Sequence, residues 1–168
     1  MIALLLAAAI WPPWQTVAQS TSIQALDFRS RAFVAGTFEA TTAFTPYLLE
    51  QDRTLLAFVD FMHVVLVAAL STSADTCYRL EIVNLRRLGP TLTVSVVLHD
   101  IHSPRIGCLF AVSRPYHVIS VPRSVIGRPL PRRVFLKQLL STPSPCTTAS
   151  ALPLQPQSTC AVVGARRG

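Results

Sequence analysis

Charge is scarce in this sequence, and it follows a gradient along the chain. Charged residues make up only 14% of the chain and apolar residues 51%, which excludes a wholly disordered protein and leaves enough material for one hydrophobic core. All eight acidic residues lie between Asp27 and Asp100, so the C-terminal part carries basic charge alone. Lys137 is the only lysine beside fourteen arginines, and no nucleic-acid-binding motif accompanies the basic charge. We therefore expect no nucleic-acid partner.

The sequence also lacks the motifs of the common enzyme classes. It has no GxGxxG, no phosphate-binding P-loop and no paired-carboxylate pattern. His99 and His102 flank Asp100, but in an extended chain the two histidines face opposite sides, and no third strong metal ligand is near in sequence. The residue types of a Ser-His-Asp triad are present at Ser113, His117 and Asp100, but the glycine motif of a nucleophile elbow is absent. The sequence predicts no catalytic residue, no metal and no cofactor.

Cysteines with metal-binding spacing are absent as well. The four cysteines are even in number and widely separated, and no CxxC pair occurs among them. This pattern suits an oxidising compartment better than a zinc site. The cysteines are Cys77, Cys108, Cys146 and Cys160.

Residues 1–18 are typical of a secretory signal. An apolar stretch over residues 2–10 is followed by Pro12-Pro13 and by a small-residue end at Ala18, and it is too short for a membrane span. The longest internal apolar run, residues 64–70, has only the length of a strand, so we expect no transmembrane span. We expect the segment to be removed and the protein to be secreted, periplasmic or in the cell envelope. A frayed apolar N-terminus of a cytoplasmic protein is the alternative.

The apolar pattern predicts a mainly β domain over residues 25–140, an antiparallel sheet or sandwich with one packed helix. Residues 64–67 form a continuous apolar run, which indicates a strand buried on both faces. Alternating apolar and polar residues predict further strands, and Gly89-Pro90 predicts the turn of a hairpin. The further strands are expected at residues 78–82, 92–98, 108–112 and 116–121, with one or two short ones between 19 and 45.

One helix is predicted at residues 46–57, opened by a Thr45 cap and a proline, Pro46, at the first helical position. Between residues 123 and 140, two prolines leave room for at most a short strand or a helical turn. From Ser141 to the end, residues 141–168 are mostly Ser, Thr, Pro, Ala and Gln. This low-complexity tail is predicted to be disordered.

A series of short motifs runs between residues 59 and 123. They are Val59-Asp60-Phe61, Cys77-Tyr78, Pro104 with Gly107-Cys108, and the block from Ser113 to Pro122 that contains Pro115-Tyr116. In this order and spacing, the stretch resembles the C-terminal domain of the protease-complex subunit PrcB family. The family carries a loop of the Pro-Thr-Gly-Gly-Tyr type where residues 73–78 here have no glycine, so the backbone freedom that glycine gives is absent.

The resemblance implies an exported, non-catalytic accessory subunit that binds and stabilises an extracytoplasmic protease complex. A protease inhibitor of the chagasin type, with residues 71–77 as its inhibitory loop, is the alternative within the binding class, and a small hydrolase is the alternative outside it. The candidate partner-binding or motif residues are Asp60, Phe61, Asp75, Cys77, Tyr78, Pro104, Cys108, Pro115 and Tyr116. For Tyr78 and Tyr116, packing in the core is the alternative to contact with a partner.

Cys77 and Cys108 each stand at the start of a predicted strand in the matched region. Adjacent strands bring such positions close together. We therefore expect these cysteines either to form a disulfide or to lie buried as unpaired neighbours, two alternatives that sequence alone leaves open.

Overall fold

The chain folds into two β-sheets, with the helical segment of residues 39–58 on the outer face of the larger sheet, as a computed structural model that describes residues 13–22, 29–103 and 106–139 shows. The predicted mainly β fold is confirmed. Strands β1 to β7 cover Gln15–Ser22, Arg31–Ala35, Val64–Leu70, Tyr78–Leu88, Thr91–Asp100, Arg114–Pro122 and Arg133–Leu139. Pro104 and the predicted tail after residue 140 lie outside the described residues.

The larger sheet is antiparallel and has the strand order β1-β6-β3-β2. Its central strands β3 and β6 are buried along almost their whole length. β3 spans the continuous apolar run that predicted it, and β2 is a short strand of the kind expected between residues 19 and 45. β1 begins before that range, at Gln15. A run of β-branched and aliphatic residues is what a strand covered on both faces requires.

The smaller sheet has the strand order β4-β5-β7 and departs in one respect from the expected antiparallel arrangement. β4 and β5 form the predicted hairpin through Gly89-Pro90, where Gly89 has a positive φ of 57° that favours glycine. β5 and β7 are parallel. The chain leaves this sheet after β5, contributes β6 to the other sheet, and returns through the short helix Arg123–Ile126 to β7. A crossover of this length is what a parallel pair needs.

The prediction of a strand at residues 108–112 is wrong. Residues 106–112 form a loop, because their backbone groups bond to the segment that precedes β4 rather than to a sheet. The amide of Thr76 donates to the carbonyl oxygen of Leu109 at 3.1 Å, and the amide of Leu109 donates to the hydroxyl of Thr76 at 2.9 Å. Alternation of apolar residues in the sequence therefore did not correspond to strand pairing here.

The larger sheet separates two hydrophobic cores. Because successive side chains in a strand point to opposite faces, Val65 and Val67 of β3 pack towards the smaller sheet, whereas Leu66 and Ala68 pack towards the helices. β6 divides its side chains in the same way. Each fully buried valine or leucine contributes about 1.5 to 3 kcal/mol relative to exposure, so both faces of this sheet contribute to stability.

The predicted helix at residues 46–57 is broken into short pieces. A 3-10 helix at Thr45–Tyr47, with Pro46 inside it, is followed by an extended Leu48 and then by the helix Glu50–Leu55, which we call α1. A further 3-10 turn, Leu56–Phe58, completes the segment. The break lets Leu48 and Leu56 point into the outer core. The structure also contains the 3-10 helix Glu39–Ala43, which the sequence did not predict. Between residues 123 and 140, where a short strand or a helical turn was expected, it has both the one-turn helix Arg123–Ile126, α2, and β7.

Tyr116 of β6 joins the larger sheet to α1. Its ring is fully buried, and its hydroxyl accepts a hydrogen bond from the amide of Leu49 at 3.1 Å and donates one to the carboxylate of Asp52. Burial and the neighbouring Asp52 raise the pKa of Tyr116 to about 12. The tyrosine is therefore a neutral hydrogen-bonding group of the core. Of the two alternatives for Tyr116, packing in the core and contact with a partner, the structure shows packing in the core.

His117 of β6 joins the two sheets. Its Nδ1 accepts a hydrogen bond from the amide of Ile82 in β4 at 2.8 Å, so Nε2 carries the proton and donates to the hydroxyl of Thr16 in β1 at 2.9 Å. Burial of the ring lowers the pKa of His117 to about 4, because the charged form loses its hydration. At neutral pH the imidazole is neutral and both of its nitrogens are satisfied.

β1 belongs to the folded domain although it precedes residue 25, where the sequence placed the start of the domain. Ala18 is buried in the outer core, and Gln19 and Thr21 donate hydrogen bonds to carbonyl oxygens of β4. Removal of residues 1–18, as the signal-like pattern suggests, would delete the first half of β1 together with Thr16. The folded part therefore includes β1, with Gln15 to Ala18.

The buried His117 predicts a pH dependence of stability. Its pKa is lower in the folded protein than in the unfolded chain, so its contribution is complete above about pH 6.5 and is lost as the pH falls towards 4. A shift of this size corresponds to about 3 kcal/mol. Asn in place of His117 keeps an acceptor for the Ile82 amide and cannot titrate. Urea unfolding across this pH range should show a steeper loss in the natural protein than in His117→Asn, and equal slopes would contradict the role given to His117.

Candidate functional site

Cys77 and Cys108 form a disulfide, which is one of the two alternatives that the sequence left open. Their Cα atoms are 5.4 Å apart, and the bond closes a segment with a sequence separation of 31. Cys77 is buried directly before β4, as expected. Cys108 lies in the loop of residues 106–112 and not at the start of a strand. The disulfide fixes this loop to the end of the β4–β5 hairpin.

The loop of residues 106–112, which we call the apolar loop, presents apolar side chains to solvent. The exposed fractions are 47% for Ile106, 59% for Leu109, 92% for Phe110 and 49% for Val112. Single apolar residues at a surface are common, but four in seven residues on a loop that is covalently held form a patch. Patches of this kind mark contact surfaces for other molecules.

A polar network lies beneath the apolar loop. The hydroxyls of Ser73 and Ser113 are 2.7 Å apart, and both donate to the carbonyl oxygen of Asp75. The carboxylate of Asp75 accepts a hydrogen bond from the amide of Cys77 at 2.8 Å. Ser73 and Ser113 also exchange two backbone hydrogen bonds of 3.0 Å each. Residues 71–77 are therefore held against the residues that follow the apolar loop, and the loop rests on a satisfied hydrogen-bonded base.

His102 stands at the edge of this network between two carboxylates. Its Nδ1 is 2.5 Å from an oxygen of Asp100, and its Nε2 is 3.2 Å from an oxygen of Asp75. The ring packs edge-on against Tyr78, with the centroids 5.5 Å apart. The bond to Asp100 raises the pKa of His102, while the amide and the ring of His102 lower the pKa of Asp100. The half-exposed imidazole is thus held in one orientation.

Four of the candidate residues converge here: Asp75, Cys77, Tyr78 and Cys108. The other described candidates lie elsewhere. Asp60 is exposed, and its carboxylate accepts hydrogen bonds from the amide of Met62 and the ring of His63, which lower the pKa of Asp60. Phe61 is half-buried against the outer core, and Pro115 and Tyr116 are buried in β6. Pro115 and Tyr116 are therefore structural residues and not surface contacts.

Ser113, His117 and Asp100 are not brought together. Ser113 bonds to Ser73 and Asp75, Asp100 bonds to His102, and both ring nitrogens of His117 are used within the core. His99 also points away from His102, as expected, and its Nε2 is 2.7 Å from the carboxylate of Glu81. Ser113, His117 and Asp100 each have a different hydrogen-bond partner, so they do not form a catalytic triad.

Sequence reasoning missed the apolar loop and Arg114. The loop was predicted as a strand, and its only sequence signal was the position of four apolar residues around Cys108. Arg114 is buried, and its guanidinium carbon lies 4.8 Å from the centre of the Tyr47 ring. Among the described residues, its Nε and Nη2 have no hydrogen-bond partner. The aromatic ring offsets part of the desolvation of this cation.

Comparisons with protein-family models, with curated protein sequences and with solved structures find no significant match for the chain. In residues 13–22, 29–103 and 106–139, no helix has the length and apolar character needed to cross a membrane.

Loss of the Cys77–Cys108 disulfide should destabilise the protein by about 3 to 4 kcal/mol, because a cross-link over a segment of this length restricts the unfolded chain. The measurement is urea unfolding of Cys77→Ala/Cys108→Ala, made in a Cys146→Ala/Cys160→Ala background so that one possible bond is tested. Dithiothreitol should lower the stability of the Cys146→Ala/Cys160→Ala protein, which keeps the disulfide, by a similar amount. It should leave the stability of the variant without any cysteine unchanged. Equal stability of the two proteins without reductant would contradict the contribution given to the bond.

Proposed function

We propose that the chain is a non-catalytic protein-binding module that docks on its partner through the apolar loop. The observation that carries the proposal is the exposure of Ile106, Leu109, Phe110 and Val112 on a loop that the disulfide and the Thr76 hydrogen bonds hold in place. A fixed loop loses less conformational entropy on binding than a free one. Burial of Phe110 in a partner's pocket would contribute about 1.5 to 3 kcal/mol, in the range of an interface anchor.

The partner class that we propose is an extracytoplasmic protease or its assembly. The resemblance of residues 59–123 to the PrcB C-terminal family implies an accessory subunit that stabilises such a complex. The disulfide supports a place outside the cytoplasm, since these bonds persist in oxidising compartments. We therefore propose that the protein is secreted, periplasmic or part of the cell envelope.

A chagasin-type inhibitor remains the alternative within the binding class, but with the apolar loop rather than residues 71–77 as the inhibitory loop. Ser71, Asp75 and Cys77 are buried and Ala74 alone of residues 71–77 is exposed, so this segment offers less surface to a protease cleft than the apolar loop. The apolar loop has the more exposed side chains and is the better candidate for insertion. Inhibition assays against serine and cysteine proteases separate docking from inhibition, because a docking subunit leaves peptide hydrolysis unchanged.

The environment of His102 supports a non-catalytic function over a small hydrolase. The atom that faces its Nε2 is a carboxylate oxygen of Asp75, and both neighbouring sulfurs are bonded to each other. A hydrolase of the serine or cysteine type needs a hydroxyl or thiol within hydrogen-bond reach of the base. Among the residues that the structure describes, no hydrogen bond joins His102 to such a nucleophile.

Phe110→Ser should weaken partner binding by roughly 30-fold, as expected for loss of an aromatic anchor worth about 2 kcal/mol. Phe58→Ser is the matched control, because Phe58 is 84% exposed on the helical segment and outside the apolar loop. The immobilised oxidised chain is used to capture proteins from the secreted or envelope fraction of its own source, and mass spectrometry identifies them.

The proposal expects a protease or a subunit of its complex to elute with the natural protein and with Phe58→Ser, and to be lost with Phe110→Ser. Both variants should unfold at the same urea concentration as the natural protein, since both side chains are exposed. Recovery of the same proteins in the same yield with Phe110→Ser would refute docking through the apolar loop.

A further inference from the structure

Metal-ligating side chains converge at the disulfide, a feature that protein binding does not explain. Cys77, Cys108 and His102 each offer one ligand atom, and these atoms lie within 4.8 Å of one another. The carboxylate of Asp75 is beside them, with one oxygen 3.2 Å from Nε2 of His102. Two sulfurs, an imidazole nitrogen and a carboxylate oxygen are donors that zinc takes in proteins. The four residues come from three separate parts of the chain, so the fold itself assembles them.

His102 already has the orientation of a metal ligand. Its Nδ1 is bonded to Asp100 at 2.5 Å, which leaves Nε2 as the nitrogen for coordination. A carboxylate on the far nitrogen is the usual support of a zinc-binding histidine, since it fixes the tautomer and the ring plane. Tyr78 restricts the ring further through its edge-on contact. This support is in place without any metal.

The distances fit a tetrahedral site. Zinc bonds of about 2.0 to 2.3 Å place neighbouring ligand atoms about 3.3 to 3.8 Å apart. The separation of 3.2 Å between Nε2 of His102 and the Asp75 oxygen is close to this range, and the 4.8 Å limit for the other atoms requires only small side-chain rotations. The sulfurs are the exception, because they are bonded to each other. They must be separated before they can bind a metal.

We propose that the Cys77–Cys108 pair, with His102 and Asp75, is a redox-gated zinc site. A dithiol reductant gives two electrons and two protons to the S–S bond, which breaks into two thiols while the reductant forms its own disulfide. Zn²⁺ then displaces the two thiol protons and binds both thiolates, Nε2 of His102 and the carboxylate of Asp75. In the reverse direction, thiol–disulfide exchange with an oxidised dithiol moves two electrons from the thiolates to that disulfide, which takes up two protons and opens to two thiols. The Cys77–Cys108 bond forms again and Zn²⁺ is released.

Zinc and the disulfide join the same two points of the chain. In either state, Cys108 stays next to Cys77, and the apolar loop keeps its attachment to the end of the β4–β5 hairpin. The reduced chain without zinc is the form in which the attachment is lost. The site would therefore maintain the loop under reducing conditions when zinc is present.

Cobalt(II) is the probe, because tetrahedral cobalt bound to thiolates has visible bands and a charge-transfer band in the near ultraviolet. The full chain carries Cys146→Ser and Cys160→Ser so that only the two cysteines of the site remain. After reduction with a phosphine, we expect one cobalt per chain with the thiolate band, and displacement of cobalt by one equivalent of zinc. The oxidised protein should give no thiolate band.

Variants test the proposed ligands in the same background. His102→Ala should weaken zinc binding more than Asp100→Asn does, and Asp100→Asn should weaken it roughly 10- to 100-fold through loss of the ring's support. His99→Ala is the matched control, because this histidine lies near the end of β5, three residues before His102, and bonds to Glu81 instead. Its zinc affinity should equal that of the background protein. Circular dichroism of each reduced, zinc-loaded variant checks that the sheets are formed.

The proposal is overturned if the reduced chain binds no stoichiometric cobalt. It is also overturned if His102→Ala binds zinc as tightly as the background protein, since two thiolates alone would then be sufficient. Equal binding by the oxidised chain would show that the metal goes to another site. If reduction unfolds the chain and zinc restores the sheets, with His102→Ala failing to do so, the proposal is supported, because binding and folding are then coupled.

Discussion

The Cys77–Cys108 bond is the constraint on which the candidate site depends. The apolar loop has two hydrogen bonds to Thr76 and no place in a sheet, so its position is set mainly by Cys108. An unconstrained loop with these side chains would lose little by changing conformation, because exposed apolar groups favour any arrangement that covers them. The covalent bond opposes that change. It keeps the loop that carries the exposed Phe110 attached to Cys77, which follows Asp75 in the polar network.

The base of the site is stable because the two sheets are tied together close by. β6 begins immediately after Ser113, and its buried residues Tyr116 and His117 connect it to α1 on one side and to β4 on the other. The bonds to the amides of Leu49 and Ile82 join neutral groups, and a buried polar group left without a partner costs about 1 to 3 kcal/mol. Replacement of either residue by an apolar one leaves such a group behind. The strand that carries the site's base is therefore fixed in register from both faces.

Local patterns predicted the parts of the fold that depend on local chemistry. The run at residues 64–70 predicted β3 because burial on both faces demands apolar residues throughout, and Gly89-Pro90 predicted the hairpin because the turn needs a positive φ. The apolar loop was missed since its alternation is identical to that of a half-buried strand, and only the partner of its backbone distinguishes the two. The role of His117 depends on which strand lies opposite it. Sequence spacing contains no record of that pairing.

The most direct test of the account is site-specific photo-crosslinking from the apolar loop. A benzophenone amino acid at position 110 of the full chain is irradiated in the secreted or envelope fraction, once with the disulfide intact and once after reduction with zinc chelated. We expect a discrete adduct with one partner protein from the oxidised chain, a much weaker adduct after reduction, and none from position 58. An adduct of the same yield in both redox states, or one that forms equally from position 58, would contradict the claim that the disulfide-held loop is the docking surface.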